Sequence, residues 1–211
     1  MGKRDHKNTW YRLMAGLYLT FESVCPAGSD LIMHHLEKVN AGFKEMINRP
    51  VLQLREPMKK PVVRYLRNAL RMGMYFNESP IYHTIGLMDH HLTWEYGYEH
   101  MPEGLADNYA FTEVIGPRGP ILCGQLIVGM VLLGPSCHYP SHRYPNLEVS
   151  YVCLGGYVNV NDLTILTTNS FVMIPENQSH WLSTEEEIPS LLAYARIGEP
   201  QDLAHYRMEM D

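Results

Sequence analysis

Basic residues are scarce in this chain. Its 211 residues carry 17 lysines and arginines against 23 aspartates and glutamates, a formal charge of −6. Proteins that hold phosphate ordinarily present a basic face, so nucleic acid is not an expected partner. Long apolar runs are missing too. None approaches the roughly twenty residues that a membrane-spanning helix needs, so no membrane partner is expected. The opening MGKRDHKNTW is charged, with no apolar segment of a secretory signal behind it, which makes the cytoplasm the expected location. Cysteine is sparse and irregular: Cys25, Cys123, Cys137 and Cys153, with no Cys-x-x-Cys pair. They read as reduced thiols, Cys137 and Cys153 as small apolar core residues.

What is present sorts into two halves. With 45% hydrophobic residues, the chain can bury one sizeable core, or one core plus an extension. The first third has helical spacing. Asn8 or Thr9 can cap a helix with Trp10, Leu13, Met14, Leu17, Tyr18 and Phe21 on one face. After Pro26-Ala27-Gly28, Ser29 and Asp30 can cap a second, striped by Ile32, Leu36, Val39, Phe43 and Ile47. Pro61 can start a third, with Gly73 as its stop. Residues 76–108 look like an irregular lid or linker rich in histidine and tyrosine (His83, His90, His91, Tyr96, Tyr98, His100). From Tyr109 helical periodicity is nearly absent. FTEVIGP, CGQLIVGMVLLGP, LEVSYVCLGGYVNV, LTILTT, SFVMIP and SLLAYARIG read as strands parted by turn residues. The expected organisation is a helical extension over 1–75, the lid, a mainly β sandwich or jelly-roll barrel over 109–198, and a polar surface tail over 199–211.

The stretch with chemistry runs from Gly134 to Gly156, GPSCHYPSHRYPNLEVSYVCLGG, and is completed by His180 in PENQSHW. Imidazoles and a carboxylate converging on one point suit a divalent transition metal: zinc, manganese, iron or nickel. His142, Tyr144, Glu148 and Ser150 are all even-numbered, so a regular strand would turn them to one side and Tyr151 to the other. A bulge or loop at Pro145-Asn146 would disturb that parity. The expected ligands are His142, Glu148 and His180, leaving open coordination positions as catalytic sites do. A dication nearby favours a phenolate, making Tyr139 and Tyr144 candidate bases.

These segments resemble the two cupin motifs. The longer match, DNYAFTEVIGPRGP over 107–120, VLLGP over 131–135 and YPSHR over 139–143, resembles the cupin-type dimethylsulfoniopropionate (DMSP) lyases and their lyase-like relatives. The resemblance implies a cupin barrel with an N-terminal helical extension and a divalent metal. It implies cleavage of a β-sulfonio acid to acrylate and dimethyl sulfide by removal of the proton α to the carboxylate. By position, the family's first histidine falls on His142, its glutamate on Glu148, its later histidine on His180 and a tyrosine before the first histidine on Tyr139. Tyr144 stands where the family has a second histidine. Ser150 stands where it has a strand tyrosine, the residue often assigned as base.

The expected partner is a small carboxylate substrate, with Ser150 and Arg118 as pocket residues, and a homodimer is plausible from unpaired edges and stripes. The alternatives are a lyase-like cupin with another substrate, a two-histidine-one-carboxylate iron dioxygenase, and a non-catalytic cupin that binds a small ligand.

Overall fold

A computed structural model describes residues 3–98 and 101–210. The order begins α1 (Lys3–Glu22), α2 (Asp30–Ile47), β1 (Val51–Leu52), a 3₁₀ turn at Pro61–Tyr65, α3 (Leu66–Phe76) and α4 (Ile81–Met88). The β half follows as β2 (Tyr109–Gly116), β3 (Ile121–Leu122), β4 (Ile127–Leu133), β5 (His138–Arg143), β6 (Glu148–Gly155), β7 (Val158–Val160), β8 (Thr164–Leu166), β9 (Phe171–Ile174), β10 (His180–Ser183) and β11 (Ser190–Ile197). It closes with α5 (Pro200–Ala204) and β12 (Glu209–Met210). No described helix is long and apolar enough to cross a membrane.

Two sheets make the expected cupin barrel. One has seven strands in the order β1-β3-β2-β4-β11-β6-β9, the other five in the order β12-β5-β10-β7-β8. The helices cover the outer face of the larger sheet. Trp10, Leu13, Leu17 and Phe21 of α1 and Leu36, Val39, Phe43 and Met46 of α2 join the outward side chains Val128, Met130, Leu132, Val152, Leu154, Ala193 and Ala195 in one core. A second core fills the lumen, with Tyr109, Val131, Tyr151, Cys153, Leu192 and Tyr194 among its members. Each fully buried large apolar side chain contributes about 1.5–3 kcal/mol. The four on α2 therefore outweigh any single polar contact that it makes.

Several expectations change. Helix α1 runs through Asn8 and Thr9 from Lys3, because the stretch KRDHK ahead of those residues holds no glycine or proline to stop it. Ser29 does cap α2, its Oγ accepting from the Ile32 N–H. Gly73 lies inside α3, three residues short of its end. A Cβ there would sit 2.1 Å from the Leu154 carbonyl oxygen and 2.3 Å from the Tyr82 ring, so this glycine sets how closely helix approaches sheet. The 76–108 segment is more than a lid. It contains α4, and Tyr82, Ile85, Met88, Leu92 and Trp94 are fully buried. His83 and His90 are exposed and His91 half-buried, while His100 lies outside the described residues. The tail is structural as well: α5 buries Leu203, and β12 pairs with β5, Met210 opposite His142. All four cysteines are free, Cys137 and Cys153 within the luminal core.

Candidate active site

The site lies where the five-stranded sheet faces the lumen. On β5, Tyr139 and His142 are three apart, yet both point inward. Across from them on β10, Leu182 pairs with Tyr139 and His180 with His142. Two steps on β10 thus answer three on β5, and the bulge at Pro140-Ser141 turns both side chains the same way. Leaving the turn at Pro175-Glu176-Asn177, with Asn177 at φ 59°, the chain brings His180 directly opposite. The two imidazoles are buried, with ring centres 4.2 Å apart. His142 Nδ1 lies 2.8 Å from the Pro140 carbonyl oxygen. A carbonyl can only accept, so Nδ1 carries the proton and Nε2 the lone pair.

Tyrosines surround the pair. The Tyr151 hydroxyl is 3.0 Å from His180 Nε2. Tyr139 packs on His142 with centres 4.5 Å apart and stacks on Tyr109 at 4.5 Å. The Tyr144 ring meets His142 edge-on at 5.8 Å. Burial pushes the Tyr109, Tyr139, Tyr144 and Tyr151 hydroxyls above the ordinary phenol range, so in this protein alone they are neutral donors near pH 7. Beyond Tyr144 opens a cavity of about 490 Å³, lined by Tyr109, Tyr144, Arg196, Tyr206 and Met208, with Arg118 at its rim.

Glu148 does not join His142 and His180. It leaves the outer face of β6 and meets α2, where His35 Nδ1 lies 2.8 Å from Oε2 and Lys38 Nζ donates to Oε1 at 3.1 Å. Ser150 is on that same face, its Oγ 2.7 Å from His35 Nε2. The residues that β6 turns into the lumen are Val149, Tyr151 and Cys153. The parity expected from the sequence is therefore inverted, because the Pro145–Leu147 turn does not carry the alternation of β5 into β6. The ligand set His142, Glu148 and His180 is not assembled, nor is the two-histidine-one-carboxylate triad built from it. Among the described residues no three His, Cys, Asp or Glu side chains cluster as a metal site. Ser150 is no pocket residue, and Tyr151 is a site residue.

The outward position has a measurable consequence. The His35 contact, with help from Lys38, holds the Glu148 carboxyl down at about 2 against burial, from an ordinary 4.5. A carboxylate whose folded value is depressed stabilises the fold above its unfolded value, and that contribution is lost as pH falls. It should be complete above pH 4.5 and fade toward pH 2. Glu148→Gln should flatten that part of the melting-temperature profile and cost about 1–3 kcal/mol near neutrality. Metal content by elemental analysis should match that of the unsubstituted protein.

Sequence reasoning missed Arg196, Tyr206 and Met208 as well as Tyr151. Arg196 is a charged residue in the otherwise apolar strand SLLAYARI, and that was a usable signal. Tyr206 and Met208 gave none, lying in a segment whose fold depends on pairing with β5.

Residues 34–192 match the family model described as dimethylsulfoniopropionate lyase. A protein of Cereibacter sphaeroides, provisionally named dimethylsulfoniopropionate lyase DddL, is 32% identical over 202 residues, which is 95% of this chain and 87% of that one. Among solved structures, a chain from the crystal structures of the DMSP lyases RdDddP and RnDddQII superposes with a TM-score of 0.72 at 16% identity, covering 97% of this chain and 98% of that one. The DMSP lyase DddQ from Ruegeria pomeroyi gives 0.63 at 18% identity, covering 89% and 92%. At those identities the structural likeness speaks for the fold.

Proposed function

The chain belongs to the dimethylsulfoniopropionate lyase family, and from that premise we propose that it cleaves DMSP, or a closely related β-sulfonio carboxylate, to acrylate and dimethyl sulfide at the His142–His180 pair. The observation that carries this reading is the buried pair itself with the Tyr151 hydroxyl 3.0 Å from one imidazole. It unites a tyrosine of the kind the family's chemistry calls for with both motif histidines.

Family membership is compatible with a metal cofactor, and the donor set here fits one. Two buried imidazoles face each other, and a backbone carbonyl fixes the tautomer of His142 as in metal-ligating histidines. The donors beside them are the phenols of Tyr139 and Tyr151 rather than a described carboxylate. His142 and His180 would hold a divalent transition metal. When bound, such an ion supplies positive charge that favours a neighbouring phenolate and stabilises an enolate-like transition state.

The protein's own residues do the rest. Tyr151, as the phenolate with its own proton lost to solvent, takes the proton from the carbon α to the carboxylate. The C–H electron pair becomes the Cα=Cβ bond, and the Cβ–S pair leaves with sulfur. The sulfonium charge is thereby cancelled, and neutral dimethyl sulfide separates from acrylate. Tyr139, Tyr109 and Tyr144 wall the site and exclude water, which strengthens each charge interaction inside it.

The test is to incubate the purified chain with DMSP and follow dimethyl sulfide by gas chromatography and acrylate by its absorbance. Equimolar release of both is expected, and it should stop when a chelator strips the metal. No product at high enzyme concentration, from protein shown to contain metal, would remove DMSP as the substrate.

A further inference from the structure

The cavity beyond Tyr144 has a one-sided charge. Its described lining holds three arginines, Arg118, Arg196 and Arg207, and no aspartate or glutamate. Arg118 and Arg207 are exposed at its rim, where a guanidinium is readily hydrated. Arg196 is 5% exposed, and solvation cannot explain it.

Its contacts are incomplete. Nη2 donates to the Tyr144 hydroxyl at 2.8 Å, and the guanidinium lies 4.4–4.7 Å from the ring centres of Tyr144, Tyr194 and Tyr206. Ring faces attract a cation, but they leave its N–H donors unsatisfied. Nε and Nη1 are buried without a hydrogen-bond partner. The buried acid in this region, Glu113, feels the Arg196 charge at a distance but gives it no hydrogen bond: its Oε1 accepts from the Arg118 N–H at 2.8 Å and its Oε2 from the Tyr206 hydroxyl at 3.4 Å. Among the described residues Arg196 has no ion pair. A buried cation with two idle donors at the wall of a cavity is a heavy cost to the fold unless a ligand supplies the anion.

We propose that Arg196 is the subsite for the carboxylate of a short-chain acid. The proposal builds on the lyase reading only for the identity of that acid. A β-sulfonio acid carries opposite charges at its two ends, so the three arginines also set its direction. The carboxylate goes to Arg196.

Propionate, which has no leaving group, and the uncharged propionamide test this on the full-length chain as purified. Calorimetric titration should show saturable propionate binding and none of propionamide. Arg196→Gln should weaken propionate by roughly 30-fold or more, as expected when a buried charge partner is removed, while Arg196→Lys should retain part of it. Wild-type affinity in Arg196→Gln would overturn the proposal. If that variant does not fold, a wild-type crystal soaked in propionate decides: a carboxylate oxygen on the Arg196 guanidinium supports the subsite, and a carboxylate elsewhere refutes it. The lyase reading fails separately. Propionate held by Arg196 in a protein that releases no dimethyl sulfide leaves the subsite standing, whereas DMSP turnover with KM unchanged in Arg196→Gln leaves the lyase and removes the subsite.

Discussion

His142→Ala and His180→Ala should each lower dimethyl sulfide release on the order of 10³-fold or more and strip the purified protein of bound metal. The two side chains come from strands paired across one bulge, and neither has a near neighbour able to replace it among the described residues. With an ion held by the pair, losing one imidazole would remove both the charge that stabilises the developing enolate, worth about 10²–10³ for a single well-placed group, and the charge that poises the tyrosine. Both histidines are buried, so each variant also leaves a small void. Melting temperature must be measured beside activity to separate a folded, inactive protein from an unfolded one. A folded variant retaining a tenth of wild-type turnover with full metal content would contradict the assignment.

Tyr151→Phe should lower kcat by roughly 10²–10⁴-fold, the usual worth of a positioned general base. The ring stays in the luminal core, and one hydrogen bond is lost, so stability should change by only about 0.5–1.5 kcal/mol. KM should move little, because the phenol acts on the α-proton and not on the charged ends of the substrate. The pH profile gives an independent check. Burial pushes the Tyr151 hydroxyl upward, and a base works only when deprotonated, so kcat/KM should climb with pH on its acidic limb. The phenylalanine variant should lose that climb. Ser150→Ala is the natural contrast. Its hydroxyl meets His35 on the far side of β6, so turnover should persist while the melting temperature falls slightly. If Ser150→Ala were inactive and Tyr151→Phe active, the orientation assigned to β6 would be wrong.

That orientation also shows where sequence reasoning reached its limit. Strand β6 is buried along nearly its whole length, because helices cover one face and the lumen the other. On a strand buried on both sides, apolar residues do not alternate, and nothing local says which set faces in. Val149, Tyr151 and Cys153 were as eligible as Glu148, Ser150 and Val152. Since side chains alternate with period two, a short loop that fails to carry the parity forward exchanges every member of the set. The Pro145–Leu147 turn does this, and with it Glu148 passes from expected ligand to the partner of His35 and Lys38. His35 could not have announced that role, sitting 113 positions away in a helix whose stripe was read from its apolar residues.

By itself the sequence determined the architecture. Helical spacing before residue 75 and short apolar strands parted by turn residues after Tyr109 are local signals, and each produced its element. It also determined two of the buried side chains at the centre, His142 and His180, through motif positions flanked by glycine and proline turns. The tertiary structure alone decided which tyrosine meets them, that the carboxylate stays outside, and that Arg196 and the C-terminal Tyr206 and Met208 complete the cavity wall. Those outcomes depend on strand register, on a bulge in β5 and on contacts between residues far apart in sequence, and such contacts are settled only when the two sheets close on each other.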